Sequence, residues 1–148
     1  MRMQHAIDIQ RSPDDLWPWL TEPEQVKQWM KGLLEITPVS EGEPRVGFKS
    51  RLKIKEGKRI SDYDEEILKW SPPHALAVRM TGGCMPDGSA MECAYTITDM
   101  GDRSRIDAVT TGDLKGFWKL FAPLMKFFAG AQQKSFFKTL KRLAEAQA

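Results

Sequence analysis

VGFKSRLKIKEGKRISDYDEEI, residues 46–67, alternates in polarity along most of its length. Phe48, Ser50, Leu52 and Ile54 fall on one side; Lys49, Arg51, Lys53 and Lys55 fall on the other. A period of two is the signature of a half-buried strand. Glu56-Gly57 suits a two-residue hairpin turn, which brings the second half of the stretch back alongside the first. Counting outward from that turn pairs Lys55 with Lys58, Ile54 with Arg59, Leu52 with Ser61, Ser50 with Tyr63 and Phe48 with Glu65. Paired residues share a face, so Tyr63, Glu65 and Ile67 join the apolar side. Asp62, Asp64 and Glu66 then point outward against the basic residues, and that charge match supports the pairing.

The same pattern continues on both sides of this hairpin. Trp70-Ser71-Pro72-Pro73 ends the strand, because proline cannot donate to a ladder. Leu76, Val78 and Met80 form the inner side of the next strand, and a turn-rich loop over residues 82–89 follows. Met91, Cys93, Tyr95 and Ile97 recur at strand spacing. A turn at Gly101-Asp102 places Ile97 opposite Ile106, Tyr95 opposite Ala108 and Cys93 opposite Thr110. Upstream, Met3, His5, Ile7 and Ile9 alternate as a first strand. Ser12 is placed to cap a helix with Pro13 at its first position and Asp14 and Asp15 in its first turn. Pro18 is expected to keep that helix short. Thr21 and Glu24 match a capping box that would start a second short helix carrying Val26, Trp29 and Met30. Downstream, Phe117, Phe121, Leu124, Met125 and Phe128, then Phe136, Leu140 and Leu143, follow helical spacing. Pro123 and Gly130 predict a kink or break within residues 122–130. Such a helix must lie on the inner face of the sheet to bury its apolar side.

The bulk properties agree with one soluble α+β domain spanning residues 1–148. Hydrophobic residues make up 41% and charged residues 28% of the chain, an ordinary globular composition. The net charge of +2 is too small to argue for nucleic acid, so none is expected as a partner. MRMQHAIDIQ at the start has no apolar block, so no signal peptide is expected, and no apolar run is long enough for a membrane span. Cys84 and Cys93 are too few for a disulfide framework, which makes a reduced, cytoplasmic protein the expectation. No CxxC or HxxxH spacing supports a metal, no GxSxG supports a nucleophile, and no glycine fingerprint supports a nucleotide; no cofactor is expected.

The order of strand, two short helices, antiparallel strands and long C-terminal helix resembles the helix-grip fold of the START-related (SRPBCC) superfamily. That group includes plant pathogenesis-related allergens and bacterial polyketide cyclases. Ile7, Ile9, Ser12-Pro13, Leu16-Trp17, Leu20, Pro23 and Trp29 carry the likeness near the start. Trp70 with Pro72-Pro73, and the ending Leu140-Lys141 with Leu143-Ala144-Glu145, complete it. The resemblance implies a cavity between a curved antiparallel sheet and the C-terminal helix, used by relatives for lipids, sterols or polyketides. It does not imply one chemistry.

The candidate ligand-binding residues follow from the inner face: His5, Ile7, Phe48, Ser50, Tyr63, Glu65, Ile67, Met80, Met91 and Tyr95 from strands, with Phe121, Leu124 and Phe128 from the helix. An apolar wall with a few polar groups suits a small hydrophobic molecule. Glu65 is the most informative, as a ligand anchor or a general acid or base; its plainer reading is a solvated or paired rim carboxylate. His5 and the tyrosines are more often packing residues than catalysts. No catalytic residue is assigned by the sequence. The leading expectation is a binder or carrier of an apolar molecule, with a polyketide cyclase or dehydratase as the alternative. A third reading uses the basic C-terminal helix, with Lys115, Lys119, Lys126, Lys134, Lys138, Lys141 and Arg142 and no acid between them, to meet a membrane surface or a protein. Extra apolar residues there (Trp118, Leu120, Phe127) leave monomer and homodimer both open.

Overall fold

The computed structural model describes residues 2–113 and 122–147, the side chains of residues 122–128 excepted. Among the described residues ten elements follow one another: β1 (Arg2–Ile9), α1 (Pro13–Thr21), α2 (Pro23–Trp29), β2 (Leu33–Pro38), β3 (Lys49–Glu56), β4 (Arg59–Ser71), β5 (Ala75–Gly82), β6 (Ala90–Asp99), β7 (Ser104–Asp113) and α3 (Ala122–Ala146). The strands form one antiparallel sheet in the order β1-β7-β6-β5-β4-β3-β2. Only the placement of β1 beside β7 departs from a simple meander. The α+β helix-grip architecture expected from the sequence is the one observed.

The β6–β7 hairpin has the expected register, with Ile97 opposite Ile106, Tyr95 opposite Ala108 and Cys93 opposite Thr110. The β3–β4 hairpin differs. Its turn residues are Gly57 and Lys58, not Glu56 and Gly57, so Glu56 pairs with Arg59, Ser50 with Glu65 and Leu52 with Tyr63. The reason lies in Gly57, whose φ is +62°. A tight hairpin turn of the II′ type needs a positive φ at its first central residue, and glycine supplies it without a Cβ penalty. Moving the turn by one residue shifts every pairing by two, so each side chain keeps its face. The outward charge ladder survives as Lys49–Glu66, Arg51–Asp64 and Lys53–Asp62.

Ser12 caps α1 as expected, its hydroxyl accepting the Asp15 amide at 3.2 Å. Pro18 lies inside α1, which continues to Thr21. The capping box at Thr21 is not formed. Thr21 is the last residue of α1 and its hydroxyl donates to the Trp17 carbonyl, while Glu22 stands at the start of α2 without a side-chain cap. Pro23 explains the difference: it takes the first position of α2 and fixes where that helix starts. Of the kink or break expected within residues 122–130, a break does not occur, for the backbone is helical without interruption from Ala122 to Ala146.

The core lies between the inner face of the sheet, the two short helices and the second half of α3. Phe137, Leu140 and Ala144 are buried from α3, against Ile9, Leu16, Trp29, Ile97 and Ile106. Trp29 donates its indole N–H to the Trp19 carbonyl at 2.7 Å, tying α2 to α1. Polar contacts fix the far end of α3: Arg11 donates to the Ala144 carbonyl at 2.8 Å, and Lys141 donates to the Asp8 carbonyl at 2.6 Å.

Candidate ligand site on the inner face of the sheet

Register places the candidate residues in rows across the strands. Ile7, Ile106 and Ile97 form one row, and His5, Ala108, Tyr95, Leu76 and Trp70 form the next. A third contains Met3, Thr110, Cys93 and Val78, with Ile67 beside Val78. Gly112, Met91, Met80, Glu65 and Ser50 form a fourth, while Leu52, Tyr63 and Gly82 close the sheet's end. One sheet face carries the nine candidates that lie in strands because they occupy alternate positions. Phe48, just before β3, is buried and receives the Ile67 amide on its carbonyl.

Ser50, Tyr63, Ile67 and Tyr95 are buried, whereas His5, Ile7, Glu65, Met80 and Met91 are half-buried. Gly130 of α3 lies over His5 of β1, where an added Cβ would stand 3.7 Å from Nε2, an ordinary van der Waals contact. Phe121 and Trp118 lie outside the described residues, as do the side chains of Leu124, Phe127 and Phe128.

Burial pushes the Glu65 carboxyl up to about 7 from 4.5. No hydrogen bond or ion pair to that carboxyl is found among the described residues. The half-buried Asp8 and Glu92 carboxylates, by contrast, meet Arg105 at 2.8 Å and Arg79 at 2.7 Å. Glu65 is close enough to act electrostatically on Cys93 and Tyr95, both of which burial itself drives upward first. Thr110 donates to the Cys93 sulfur at 3.6 Å, and the buried Tyr95 hydroxyl is close enough to the same thiol to interact with it electrostatically. The result is a small polar cluster set in an apolar wall. It combines a proton-exchanging carboxyl with three weakly polar groups.

Tyr63 is placed differently. Its ring packs flat under Gly83, where an added Cβ would fall 2.1 Å from Cζ. Its hydroxyl donates to the Glu56 carboxylate and lies 3.3 Å from the Cys84 sulfur. Burial and those two partners raise its pKa well above the usual tyrosine value. The hydroxyl is thus committed at the hairpin end of the sheet.

Cys93 joins this cluster although it did not stand among the sequence candidates, and so does Thr110, a polar residue that the expected β6–β7 register already sends to the inner face. The signal was available in the β6–β7 register, which already paired them. Gln133 is a further addition: its amide nitrogen is buried with no hydrogen-bond partner among the described residues. It precedes Phe137, Leu140 and Ala144 at spacings of four, three and four, so helical periodicity would have assigned it to the sheet-facing stripe.

A hollow of about 600 Å³ opens on the opposite face, under the loop over residues 83–89. Arg79, Thr81, Glu92 and Thr111 line its floor, where the Arg79–Glu92 pair at 2.7 Å already satisfies both charges. Among the described residues no cluster of His, Cys, Asp or Glu could hold a metal ion, and no helix is long and apolar enough to cross a membrane. On α3, Lys134, Lys138 and Arg142 are exposed at four-residue spacing, while Lys141 is engaged with Asp8 and Glu145.

Comparison with known proteins follows the same line. A family model described as polyketide cyclase / dehydrase and lipid transport matches residues 1–147. No curated protein matches the sequence. Among solved structures, TTHA0849 from Thermus thermophilus superposes with a TM-score of 0.79 at 16% identity, covering 100% of this chain and 99% of that one. Ara h 8.0201 superposes with a TM-score of 0.77 at 14% identity, covering 99% of each chain. The di-domain ARO/CYC BexL from the BE-7585A biosynthetic pathway gives 0.78 at 9% identity, covering 96% of this chain and 45% of that one. At these identities the likeness is one of fold.

Proposed function

The chain belongs to the polyketide cyclase / dehydrase and lipid transport family, and on that premise we propose that it binds or carries a small apolar molecule between the sheet and α3. The observation that carries this reading is the inner wall itself. Ile67, Val78, Met80 and Met91 surround a few polar groups, and one of these, Glu65, has no partner among the described residues. Apolar surface supplies affinity, and isolated polar groups fix orientation. Native mass spectrometry of protein purified from its own host tests this, together with titration by an apolar fluorescent probe. The expected result is one saturable site per chain and a co-purified small molecule that displaces the probe. Failure of a lipid, sterol and polyphenol panel to bind saturably would remove the reading.

One observation favours catalysis as a second reading, in the cyclase or dehydratase sense. A carboxyl that titrates near 7 can both take and give a proton at neutral pH, which is what general acid–base work demands. Glu65 would be that group, with Tyr95 and Cys93 beside it. Turnover of a polyketide-like substrate that disappears in Glu65→Gln, with binding retained, is the outcome expected of an enzyme.

A further inference from the structure

Glu65 contrasts with several other carboxylates of the protein. Asp8 has Arg103 and Arg105, Asp64 has Arg51, Glu92 has Arg79, and Glu145 has Lys141. Each of these carboxylates meets a cation at 3.4 Å or less. Glu65 faces inward, and no lysine or arginine shares the inner rows of the sheet with it. The groups of those rows nearest to it are Ser50 across the strand, Met80, and the titratable Cys93 and Tyr95; His5 lies on the same face, on β1. None of the first four is a cation, and among the described residues His5 is the sole inner-row side chain that could become one.

We propose that the occupant of the inner-face site is an apolar molecule bearing a basic nitrogen, held by its ammonium against the Glu65 carboxylate, and that the site rejects fatty-acid-like anions. This rests on the reading of the inner face as a ligand site. A carboxylate removed from water without a partner is costly, and a charge-assisted N–H···O bond is the strongest complement a small ligand can offer it. The Ser50 hydroxyl, one strand away in the same row, can accept a second ammonium proton. An anionic headgroup at the same point would meet like charge in a poorly solvated place. The apolar tail would lie along Met80, Met91 and Val78. Thioether side chains adapt to varied shapes, so the headgroup rather than the tail sets selectivity.

The test compares octylamine, octanol and octanoate by calorimetry on the full chain, near pH 8, where both the amine and Glu65 are ionised. These probes share a tail and differ in the headgroup. The expected result is octylamine binding roughly tenfold or more above octanol, with octanoate weakest. Glu65→Gln should erase the amine preference, with its circular dichroism and thermal unfolding showing that the chain remains folded. Glu66→Gln, on the outer face, should keep the preference. Equal binding of octylamine and octanol, tighter octanoate, or a preference that survives Glu65→Gln would each overturn the proposal while leaving a ligand site in place. Absence of saturable binding by all three would overturn the site reading as well.

Discussion

An acid whose folded pKa is raised binds its proton more tightly in the native state than in the unfolded chain. For Glu65 the two values are about 7 and 4.5. Between them the native state holds more protons, so the slope of stability against pH is negative there. Stability is therefore fullest below the unfolded value and declines as pH rises from 4.5 to about 7. The loss is at most about 3 kcal/mol, an upper figure because the side chain is only half-buried. Glu65→Gln should remove this decline: urea unfolding near pH 8 should show the variant more stable than wild type, and the gap should close near pH 4. A gap that persists at low pH would mean burial is not what the carboxyl feels. Two glycines give a second residue-scale contrast. Gly83 has φ +58° and sits on the Tyr63 ring, whereas Gly101 has φ +93° with nothing within 4 Å of an added Cβ. Gly101→Ala should cost about 1–2 kcal/mol from backbone strain alone. Gly83→Ala adds a steric clash and should cost roughly 1–3 kcal/mol more. Thermal unfolding of the pair checks that order. The need for a glycine at residue 83 was not visible in the sequence, because Tyr63 is twenty positions away.

At the scale of elements, local chemistry decided some boundaries and neighbours decided others. Ser12 caps α1 through one hydrogen bond, so Ser12→Ala should cost about 1 kcal/mol. Thr21→Ala should change stability by less than about 0.5 kcal/mol, since Thr21 ends a helix rather than starting one. A Thr21 effect as large as that of Ser12 would reinstate the capping box. The β3–β4 hairpin teaches a related lesson. Side-chain alternation is blind to a shift of two, so the faces were legible and the turn was not; only the φ demand on Gly57 separates the alternatives. In β4 a bulge between Ile67 and Lys69 puts both Ile67 and Trp70 toward the core, where the Trp70 ring meets Trp17 at 5.1 Å. Strict alternation would have sent Trp70 outward. In α3, Leu140 is fully buried, and Leu140→Ala should cost about 2–5 kcal/mol.

Across the whole molecule, α3 is held to the start of the chain by Arg11, Lys141 and the bond from the Gln10 amide to Glu145 at 2.9 Å. Arg11→Ala removes the donor to the Ala144 carbonyl, so hydrogen exchange should speed up in the last turns of α3 and in α1 while the β3–β4 hairpin stays protected. Uniform acceleration over the whole chain would mean that helix and sheet open together. The sequence alone determined the element order, the two-faced character of the strands, the β6–β7 register, and the inward aim of Glu65. Each follows from periodicity and turn chemistry acting over a few residues. The tertiary structure decided that Tyr63 is spent on Glu56 and Cys84 and that a bulge in β4 turns Trp70 toward the core. It also decided that Glu65 has no described partner while Asp8, Asp64 and Glu92 on the outer face each meet an arginine. Partnership is set by which strands and helices come side by side, and residues that meet across tens of positions leave no periodic trace in the chain.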